Sequence, residues 1–456
     1  MINQKNSCFI ANFSKTYFFH AIAQKLQERG RQIYWITTNR RLYDFLCEHY
    51  DKKVILLINW DHLGKDQPAV GDYQLHELLY GDRVLRYSKE EGLRWLCNIQ
   101  RPLYDFFATH QIEVTFGELT WAHEILIHRM LRKEEALKGR FLNPHVVRIP
   151  NRRFAFFEDE RQSVIYTGQW PRQRYQEVLE VKKPDYLRIN DKRLKRANSL
   201  MGRLDRVKRL VTNENMDKKD PTLLNHIGLR LKTRSQEELY KETYRTIQRE
   251  VLEDFDGEPY VFLGLHKQPE ASVDVFGRYY EDQFQNIQNI WRILPLGWKL
   301  LVKEHTNAIG DRQPAFYRRL QQLPNVHFVQ EQTDAYRLIR GAELVVTITG
   351  TIAYEAALMG IPALTFAPVF FNRLHGCRQL TLQMISELDD LRTLIEELRA
   401  EGDNRLEFTN YLLNNSFDGL FSDPISNQAI LDPKNVEQVS EAFEHVLQQQ
   451  TVALSS

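Results

Sequence analysis

The chain has 456 residues, which is enough for about two domains of ordinary size. Hydrophobic residues make up 43% of it and charged residues 27%, as in a soluble globular protein, and the formal net charge of +1 excludes a global attraction to nucleic acid. The four cysteines are scattered, without a CxxC pair or a His/Cys cluster, so we expect reduced thiols, no structural zinc site and a cytoplasmic location. The sequence shows no signal peptide and no apolar run of about 18 residues, so no membrane-spanning helix is predicted.

The N-terminal part of the chain alternates between strands and helices. Strands are predicted at 7–13, 32–38 and 54–58, with a helix after Ser14 and another over 42–50. This β-α-β-α-β order predicts a parallel sheet with helices on both faces. The first turn, ANFSKTYF, lacks a glycine-rich fingerprint, so we do not expect a dinucleotide site there.

A candidate catalytic carboxylate follows the next predicted strand, 112–116, which comes after a long predicted helix over 83–109. Ligands of open α/β sheets bind outside the carboxyl ends of the strands, so Glu118 is a candidate general base or acid. Alternatively, Glu118 caps or orients the following helix, predicted over 122–136. His123 and His128 lie five residues apart on that helix, a spacing that suits metal ligation poorly, and we interpret both as structural or surface residues.

Three arginines lie around the turn after a further predicted strand, 146–149. Arg148, Arg152 and Arg153 are candidates to hold an anionic acceptor, because guanidinium groups bind carboxylate and phosphate well. The alternative interpretation is a solvated basic turn.

The sequence changes character over 160–250, where charges and aromatic residues increase and the strand pattern fades. Residues 191–210 contain eight basic and two acidic residues with leucines interspersed, which predicts a basic amphipathic helix. Such a helix is a candidate for contact with an anionic membrane or an anionic glycan, and a solvated face is the alternative. A helix over 235–255 is predicted to lead into a second domain.

In the second domain, polar residues follow the ends of three predicted strands. The strands at 260–266, 298–302 and 344–348 carry HKQPE (266–270), KEH (303–305) and TGT (349–351) respectively. Because the carboxyl ends of parallel strands share one edge of a sheet, we expect these residues to converge on one crevice.

The TGT turn predicts an anion site. The helix that starts at Thr351 and stops near Gly360 directs free backbone N–H groups and a partial positive charge outward, Gly350 allows close approach, and Thr349 adds a hydroxyl. Glu355, one turn into this helix, suits a sugar diol, so a nucleotide or nucleotide sugar fits both parts. The alternative is an ordinary capped helix with a solvated Glu355.

Several motifs, taken together, resemble a known family. The set HKQPEAS (266–272), VKEH (302–305), LPNV (323–326) and TITGTIAYEAALMGIP (347–362) resembles bacterial capsular polysaccharide glycosyltransferases, including the 3-deoxy-manno-octulosonic acid (Kdo) transferases, and more remotely the bacterial sialyltransferases of GT-B fold. The segments GELTWAHEILIHR (117–129) and RIPNRRFAFF (148–157) look like the N-terminal half of such proteins. The similarity covers about residues 110–370.

The resemblance implies a GT-B enzyme, in which two Rossmann-like domains face each other across a cleft and no metal or other cofactor is required. The C-terminal domain is expected to hold the nucleotide sugar. In relatives that use CMP-sugars a His followed by Pro contacts the phosphate; His305 matches that His, whereas Thr306 stands where Pro is usual. The expected domain boundaries are 1–158 for the acceptor-side domain, 159–255 for a charged, mostly helical linker, 256–385 for the nucleotide-sugar domain and 386–456 for a helical tail.

The predicted function is transfer of a sugar, with CMP-Kdo or a related acidic CMP-sugar as the favoured donor, to a growing surface glycan. Lys303 and His305, together with the TGT helix start, are candidates to stabilise the leaving phosphate, and Glu118 is the candidate base for the acceptor hydroxyl. The other candidate residues for binding the donor are His266, Lys267, Glu270, Glu304 and Glu355. The outcome, inverting or retaining, is left open.

Two other functions fit the same architecture. A UDP-sugar 2-epimerase would release a free sugar without an acceptor, and a non-catalytic assembly subunit would bind nucleotide or glycan without turnover. The predicted partners are a nucleotide-sugar donor, a glycan or lipid-linked glycan acceptor and, through 191–210, the cytoplasmic face of the inner membrane, but no nucleic acid.

Overall fold

A computed structural model of the protein describes residues 6–65, 67–182, 217–224 and 226–453, without the side chains of the last few. The predicted basic helix at 191–210 lies outside the described residues. Within them the chain forms two separate sheets, each covered by helices on both faces.

The first sheet has seven strands, six of which lie in the N-terminal part of the chain, where the sequence predicted five. They are β1 (Asn6–Ala11), β2 (Gln32–Thr37), β3 (Ile55–Leu57), β4 (Val114–Phe116), β5 (Arg140–Val146) and β6 (Arg153–Phe157). Their order is β6-β5-β4-β1-β2-β3, and all neighbouring pairs are parallel except β5 with β6. The central strand β1 is buried along almost its whole length, as expected for a parallel strand covered on both faces.

The second sheet is parallel throughout. Its strands are β7 (Tyr260–Gly264), β8 (Lys299–Lys303), β9 (Val326–Val329), β10 (Leu344–Thr347), β11 (Ala363–Thr365) and β12 (Cys377–Gln379). Their order is β12-β11-β10-β7-β8-β9, so β10, β7 and β8 lie side by side at its centre. This adjacency confirms the expected convergence of their carboxyl ends.

Helices of the first domain surround its sheet. They are α1 (Lys15–Glu28), α2 (Arg40–Cys47), α3 (Leu75–Gly81), α4 (Lys89–Asn98), α5 (Gln100–His110) and α6 (Ala122–Lys133). The predicted single helix over 83–109 is wrong, because it is divided into α4 and α5 at Ile99. Pro102 explains the division, since proline lacks an N–H and fits the first turn of a new helix rather than the middle of an old one.

The remaining helices accompany the second sheet and the C-terminal part of the chain. They are α7 (Ile227–Arg245), α8 (Ala271–Asp274), α9 (Gln283–Arg292), α10 (Pro314–Gln321), α11 (Ala335–Gly341), α12 (Thr351–Leu358), α13 (Leu382–Glu387), α14 (Leu391–Ala400), α15 (Arg405–Asn414) and α16 (Pro433–Ala453). Among the described residues of 159–255, helix is limited to α7 and a 3-10 turn at Leu252–Phe255.

The predicted strand at 146–149 is wrong in position. The chain instead forms β5 up to Val146 and β6 from Arg153, with a turn between them. Pro144 lies inside β5, opposite Phe156 of β6. A proline argues against a strand in pattern-based prediction, so β5 was not recognised from the sequence.

The C-terminal part of the chain returns to the first domain. Strand β13 (Phe417–Asp418) pairs antiparallel with β6, and α16 packs against α1. Phe443 of α16 lies fully buried, with its ring 4.7 Å from that of Phe116 and 4.9 Å from that of Phe156. Burial of one such ring contributes about 1.5–3 kcal/mol, so α16 is an integral layer of the first domain.

Four charged side chains form a closed ring where the two domains meet. Arg129 of α6 contacts Glu160 at 2.7 Å and Glu77 at 3.3 Å, and Arg278, after α8, contacts Glu77 at 2.6 Å and Glu160 at 2.7 Å. Each charge therefore has two opposite neighbours, an arrangement that fixes the domains through directional contacts.

Two separate, mostly parallel sheets covered by helices confirm the predicted fold class of two Rossmann-like domains, as in GT-B proteins. No helix among the described residues is long and apolar enough to cross a membrane.

Candidate functional site

His266, which follows β7, holds the TGT turn in place. Its Nε2 lies 2.7 Å from the Thr347 hydroxyl and accepts from the N–H groups of Ile348 and Thr349 at 3.3 and 3.4 Å. Burial lowers the pKa of His266 to about 3, and the nearby His305 and Arg312 act in the same direction. The ring is therefore neutral, and the structure gives it a supporting contact with the turn rather than an open face.

The start of α12 is shaped for close approach of a ligand. The Thr349 hydroxyl donates to the Ser272 carbonyl at 2.8 Å, which ties the turn to α8. A Cβ at Gly350 would lie 2.6 Å from the Thr347 hydroxyl oxygen, so glycine is required there. The N–H groups of Thr351 and Ile352 have no acceptor within the helix, as the predicted anion site requires.

Glu304, buried at the end of β8, supports the residues of the crevice through hydrogen bonds. It is 1% exposed and accepts from the Arg312 guanidinium at 2.6 Å, the Tyr317 hydroxyl at 2.7 Å and the His305 N–H at 2.7 Å. Arg312 also donates to the His266 carbonyl. The carboxylate, predicted to contact the nucleotide, is thus covered by protein and positions Arg312, His266 and His305 instead.

His305 is the exposed residue of the KEH motif. Its Nδ1 accepts from the Asn307 N–H at 3.2 Å, so in the neutral ring the proton lies on Nε2. Partial desolvation lowers the pKa of His305, while the carboxylate of Glu270 raises it and the charge of Lys303 lowers it. Near neutral pH the ring therefore offers an Nε2–H donor of the kind that binds a phosphate oxygen.

The other charged residues of these motifs lie around His305. Burial lowers the pKa of Lys303, whereas the carboxylates of Glu304, Glu331 and Asp334 raise it. Since Glu331 and Asp334 follow β9, Lys303 lies on the side of β8 away from the TGT turn. Lys267 is half-buried, and exposed Glu270 accepts from the Ser272 hydroxyl at 2.9 Å.

Glu355 lies where the second domain meets the first. It is 6% exposed, and burial raises its pKa to about 7 against the opposing effects of a hydrogen bond from Tyr336 and the charge of Arg148. The preceding residue, Tyr354, donates its hydroxyl proton to the Ile149 carbonyl at 3.0 Å. Of the three predicted arginines, Arg148 is thus the one whose charge acts on Glu355, among the residues that the structure describes.

Burial of Glu355 predicts a pH-dependent stability. Between about pH 4.5 and 7 the Glu355 carboxyl keeps its proton in the folded state, whereas the unfolded state has released it. The stabilisation by protonated Glu355 is therefore full below about pH 4.5 and is lost as the pH rises through about 7. The loss is on the order of 3 kcal/mol, since one pKa unit corresponds to about 1.4 kcal/mol. We expect Glu355→Gln to flatten the fall in unfolding free energy between pH 5 and pH 8, measured by denaturant titration. An equal fall in the variant would contradict this origin.

Arg152 and Arg153 have other surroundings. Arg152 is exposed, and its carbonyl accepts from the Gly419 N–H at 2.9 Å. The guanidinium of Arg153 donates to Asp418 at 2.6 Å and to the hydroxyl and carbonyl of Ser416 at 3.0 and 2.5 Å. Arg153 therefore fastens β13 to β6.

Glu118 lies at the carboxyl edge of the first sheet, beside a cation that sequence reasoning missed. Lys15, at the start of α1, contacts the Glu118 carboxylate at 2.6 Å, and their side chains are 9% and 30% exposed. Because β1 and β4 are parallel neighbours, residues after these two strands must lie close together. Lys15 was therefore detectable from the predicted topology, although its turn carries no recognised motif.

Glu124 on α6 positions the loop that carries Glu118. It is fully buried and accepts from the Asn12 side chain at 2.9 Å and from the N–H groups of Glu118, Thr120 and Trp121 at 3.0, 3.0 and 3.2 Å. Burial, with the charge of Glu118, raises its pKa to about 7. Glu124 thus performs the capping role that was considered for Glu118.

The two histidines on α6 are structural, as interpreted from the sequence. His123 and His128 are each 1% exposed, and the His128 Nε2 lies 3.0 Å from the Glu158 carbonyl oxygen. In the described part of the chain, no three His, Cys, Asp or Glu side chains are arranged to hold a metal ion.

Known proteins similar to this chain are found only among solved structures. No protein-family model matches it, and no curated protein does. It is similar to the Thermosulfurimonas dismutans KpsC beta Kdo 2,7 transferase, with 10% identity and a TM-score of 0.38 over 97% of this chain and 99% of that one. It is also similar to the T. dismutans KpsC beta Kdo 2,4 transferase, with 14% identity and a TM-score of 0.32 over 75% of this chain and 93% of that one.

A third similar structure is an epimerase. The Methanocaldococcus jannaschii UDP-GlcNAc 2-epimerase, in complex with UDP-GlcNAc and UDP, has 12% identity and a TM-score of 0.27 over 94% of this chain and 98% of that one. The similar solved structures therefore include Kdo transferases and a 2-epimerase.

Proposed function

We propose that the protein is a glycosyltransferase that moves a sugar from a nucleotide-activated donor to a surface polysaccharide, with CMP-Kdo or a related acidic CMP-sugar as the donor. Two groups support the proposal: the candidate anion site at the start of α12 in the second domain, and the carboxylate–ammonium pair of Glu118 with Lys15 in the first. The charge of Arg148 acts on Glu355 of α12 and on His145, and the charge of Lys15 also acts on His145. One side suits a leaving phosphate and the other suits an acceptor hydroxyl.

On the donor side, the residues stabilise charge as the bond between the sugar and the phosphate breaks. The N–H groups at the start of α12 and the Nε2–H of His305 donate to the phosphate oxygens, on which negative charge develops. Lys303, at the end of β8 on the side of β9, adds positive charge to the crevice from farther away. Glu355, once ionised, accepts hydrogen bonds from the ribose hydroxyls.

On the acceptor side, Glu118 takes the proton from the acceptor hydroxyl, and the acceptor oxygen forms the new bond to the sugar carbon. Lys15 holds the carboxylate at 2.6 Å, and Glu124 fixes the backbone of its loop. The nucleotide leaves with the electron pair of the broken bond. We further propose a cytoplasmic location, with 191–210 predicted to contact the inner membrane.

Nucleotide binding gives the direct test. In a thermal-shift screen against CMP, UDP, GDP, ADP and TDP, we expect CMP to raise the melting temperature of the wild type, because a ligand of the folded state stabilises it by mass action. His305→Ala should lose that shift. A matched control is His375→Ala, which alters an exposed histidine that contacts Glu401.

Other outcomes of the screen discriminate among functions. A shift with UDP or GDP alone would exclude the CMP-sugar, and no shift with any nucleotide would contradict the proposed donor site. Epimerised free sugar, formed from a UDP-sugar without acceptor, would indicate the 2-epimerase instead.

A further inference from the structure

His145, near the end of β5, lies beside the loop that carries the proposed base. Two residues earlier and on the same face of β5, the Asn143 side-chain amide donates to the Glu118 carbonyl at 2.9 Å. Two strand residues span about 6.6 Å, so His145 lies about that far beyond this contact, towards the carboxyl end of the strand. The sequence motifs did not indicate His145 as a functional residue.

Beyond His145 the chain reaches the second domain. The carbonyl of Ile149 is buried there and accepts from the Tyr354 hydroxyl of α12 at 3.0 Å. The centroid of the Phe157 ring lies 6.4 Å from that of His145 and 5.6 Å from that of Phe370 in the second domain. His145 therefore lies between two contacts of this segment, one with the loop of the proposed base and one with α12.

The ring of His145 is neutral near pH 7. Burial lowers its pKa to about 3, and the charges of Arg148 and Lys15 act in the same direction. Lys15 is the partner of Glu118, and the charge of Arg148 also acts on Glu355 of α12. The cation beside the proposed base and the cation that acts on α12 thus both act on this imidazole.

The Nε2 atom of His145 is a hydrogen-bond acceptor. Its Nδ1 lies 3.1 Å from the Val146 carbonyl oxygen, which can only accept, so the proton of the neutral ring lies on Nδ1. Within the described part of the chain no group donates to Nε2. His305 has the opposite arrangement, because its Nδ1 accepts from the Asn307 N–H and its Nε2 carries the proton. The second domain thus offers an imidazole donor and the first domain an imidazole acceptor.

We propose that His145 binds the sugar that is transferred, and that its Nε2 accepts a hydrogen bond from a hydroxyl of that sugar. The transferred sugar must lie between the leaving phosphate and the proposed base, and the contacts of the β5 segment place His145 between α12 and the Glu118 loop. A neutral imidazole acceptor suits a hydroxyl, since an ionised carboxylate or phosphate has no proton to donate. The inference rests on the proposed function and makes His145 a residue that recognises the donor sugar rather than its nucleotide.

Calorimetric titration with nucleotides and nucleotide sugars tests this contact. The probes are CMP, UDP and GDP, and the sugars CMP-Kdo, CMP-N-acetylneuraminic acid, UDP-glucose, UDP-GlcNAc and GDP-mannose. We expect His145→Ala to weaken the binding of at least one nucleotide sugar by about fivefold, the usual effect of one net hydrogen bond. The affinity of the same variant for the corresponding nucleotide should stay within about twofold of wild type, because the proposed contact is with the sugar alone.

Two further variants serve as comparisons. His145→Gln carries a side-chain oxygen that can accept a hydrogen bond in place of Nε2, so it should bind the nucleotide sugar more tightly than His145→Ala does. His327→Ala is the matched control, because His327 is a half-buried histidine on β9, the edge strand of the second sheet, and lies 2.7 Å from Glu250. It should leave both affinities unchanged. The melting temperature of each variant shows that it is folded.

Three results would overturn the contact with the sugar. An equal weakening of nucleotide and nucleotide sugar in His145→Ala would indicate a structural role, and unchanged binding of both would mean that His145 touches neither. A wild type that binds a nucleotide but none of the nucleotide sugars would also exclude a sugar contact at His145. In each of these cases the nucleotide site of the proposed function would remain, whereas a wild type that binds no nucleotide and no nucleotide sugar would contradict the proposed function itself.

Discussion

Replacing Glu118 with Gln is expected to lower the rate of sugar transfer by about 10²–10⁴-fold, the usual effect of removing a general base. The amide keeps an oxygen that accepts from Lys15, now at 2.6 Å from the carboxylate, so the fold of the loop should be preserved. The measurement is kcat with donor and acceptor both saturating, together with the melting temperature. Nucleotide binding should be unchanged, because Glu118 lies on the first domain.

The matched control for this variant is Glu90→Gln, an exposed carboxylate on α4. Its kcat should equal that of wild type. A Glu118→Gln enzyme with kcat within about threefold of wild type would assign the base to another residue and leave Glu118 as the group that holds Lys15.

Replacing Glu304 with Ala should destabilise the protein by about 3–5 kcal/mol, the range found when one partner of a buried ion pair is removed. The substitution leaves the Arg312 guanidinium, 9% exposed, without its carboxylate and the Tyr317 hydroxyl without its acceptor. The measurement is denaturant unfolding followed by circular dichroism. His266, whose carbonyl accepts from Arg312, should lose order at the same time, so CMP binding should weaken as well.

Glu387→Ala provides the comparison within the same domain. Glu387 is exposed and accepts a single hydrogen bond from Gln383 at 3.0 Å, so its loss should change stability by no more than about 0.5 kcal/mol. A loss below about 1 kcal/mol in Glu304→Ala would mean that Arg312 and Tyr317 find other partners.

The order of elements followed from the sequence where each strand was a short apolar run with a turn after it. Strand β9 and the start of α12 were predicted to the residue, and the βαβ pattern correctly placed the ends of β10, β7 and β8 at one edge of a sheet. Prediction failed where one residue interrupted the pattern, as Pro144 does in β5. Strand β13 was also missed, because nothing in the sequence around 417–418 indicates that it pairs with β6.

The candidate site was predicted less completely, because the role of a residue at a strand end depends on its burial and on its hydrogen-bond partners from other elements. The motifs indicated His266 and Glu304 as ligand contacts, but their burial and their hydrogen-bond partners make them supports. Lys15 and Glu124 carry no motif. Their positions became evident only when the topology had brought separate strand ends together.

The return of α16 to the first domain has a consequence for synthesis of the protein. Phe9, Phe116 and Phe156 form an apolar face that α16 covers with Phe443. Nearly 300 residues separate the end of β6 from the end of α16. At about 5–20 residues per second, a ribosome therefore leaves that face open for roughly 15–60 s, long enough for a chaperone to bind it before the first domain closes.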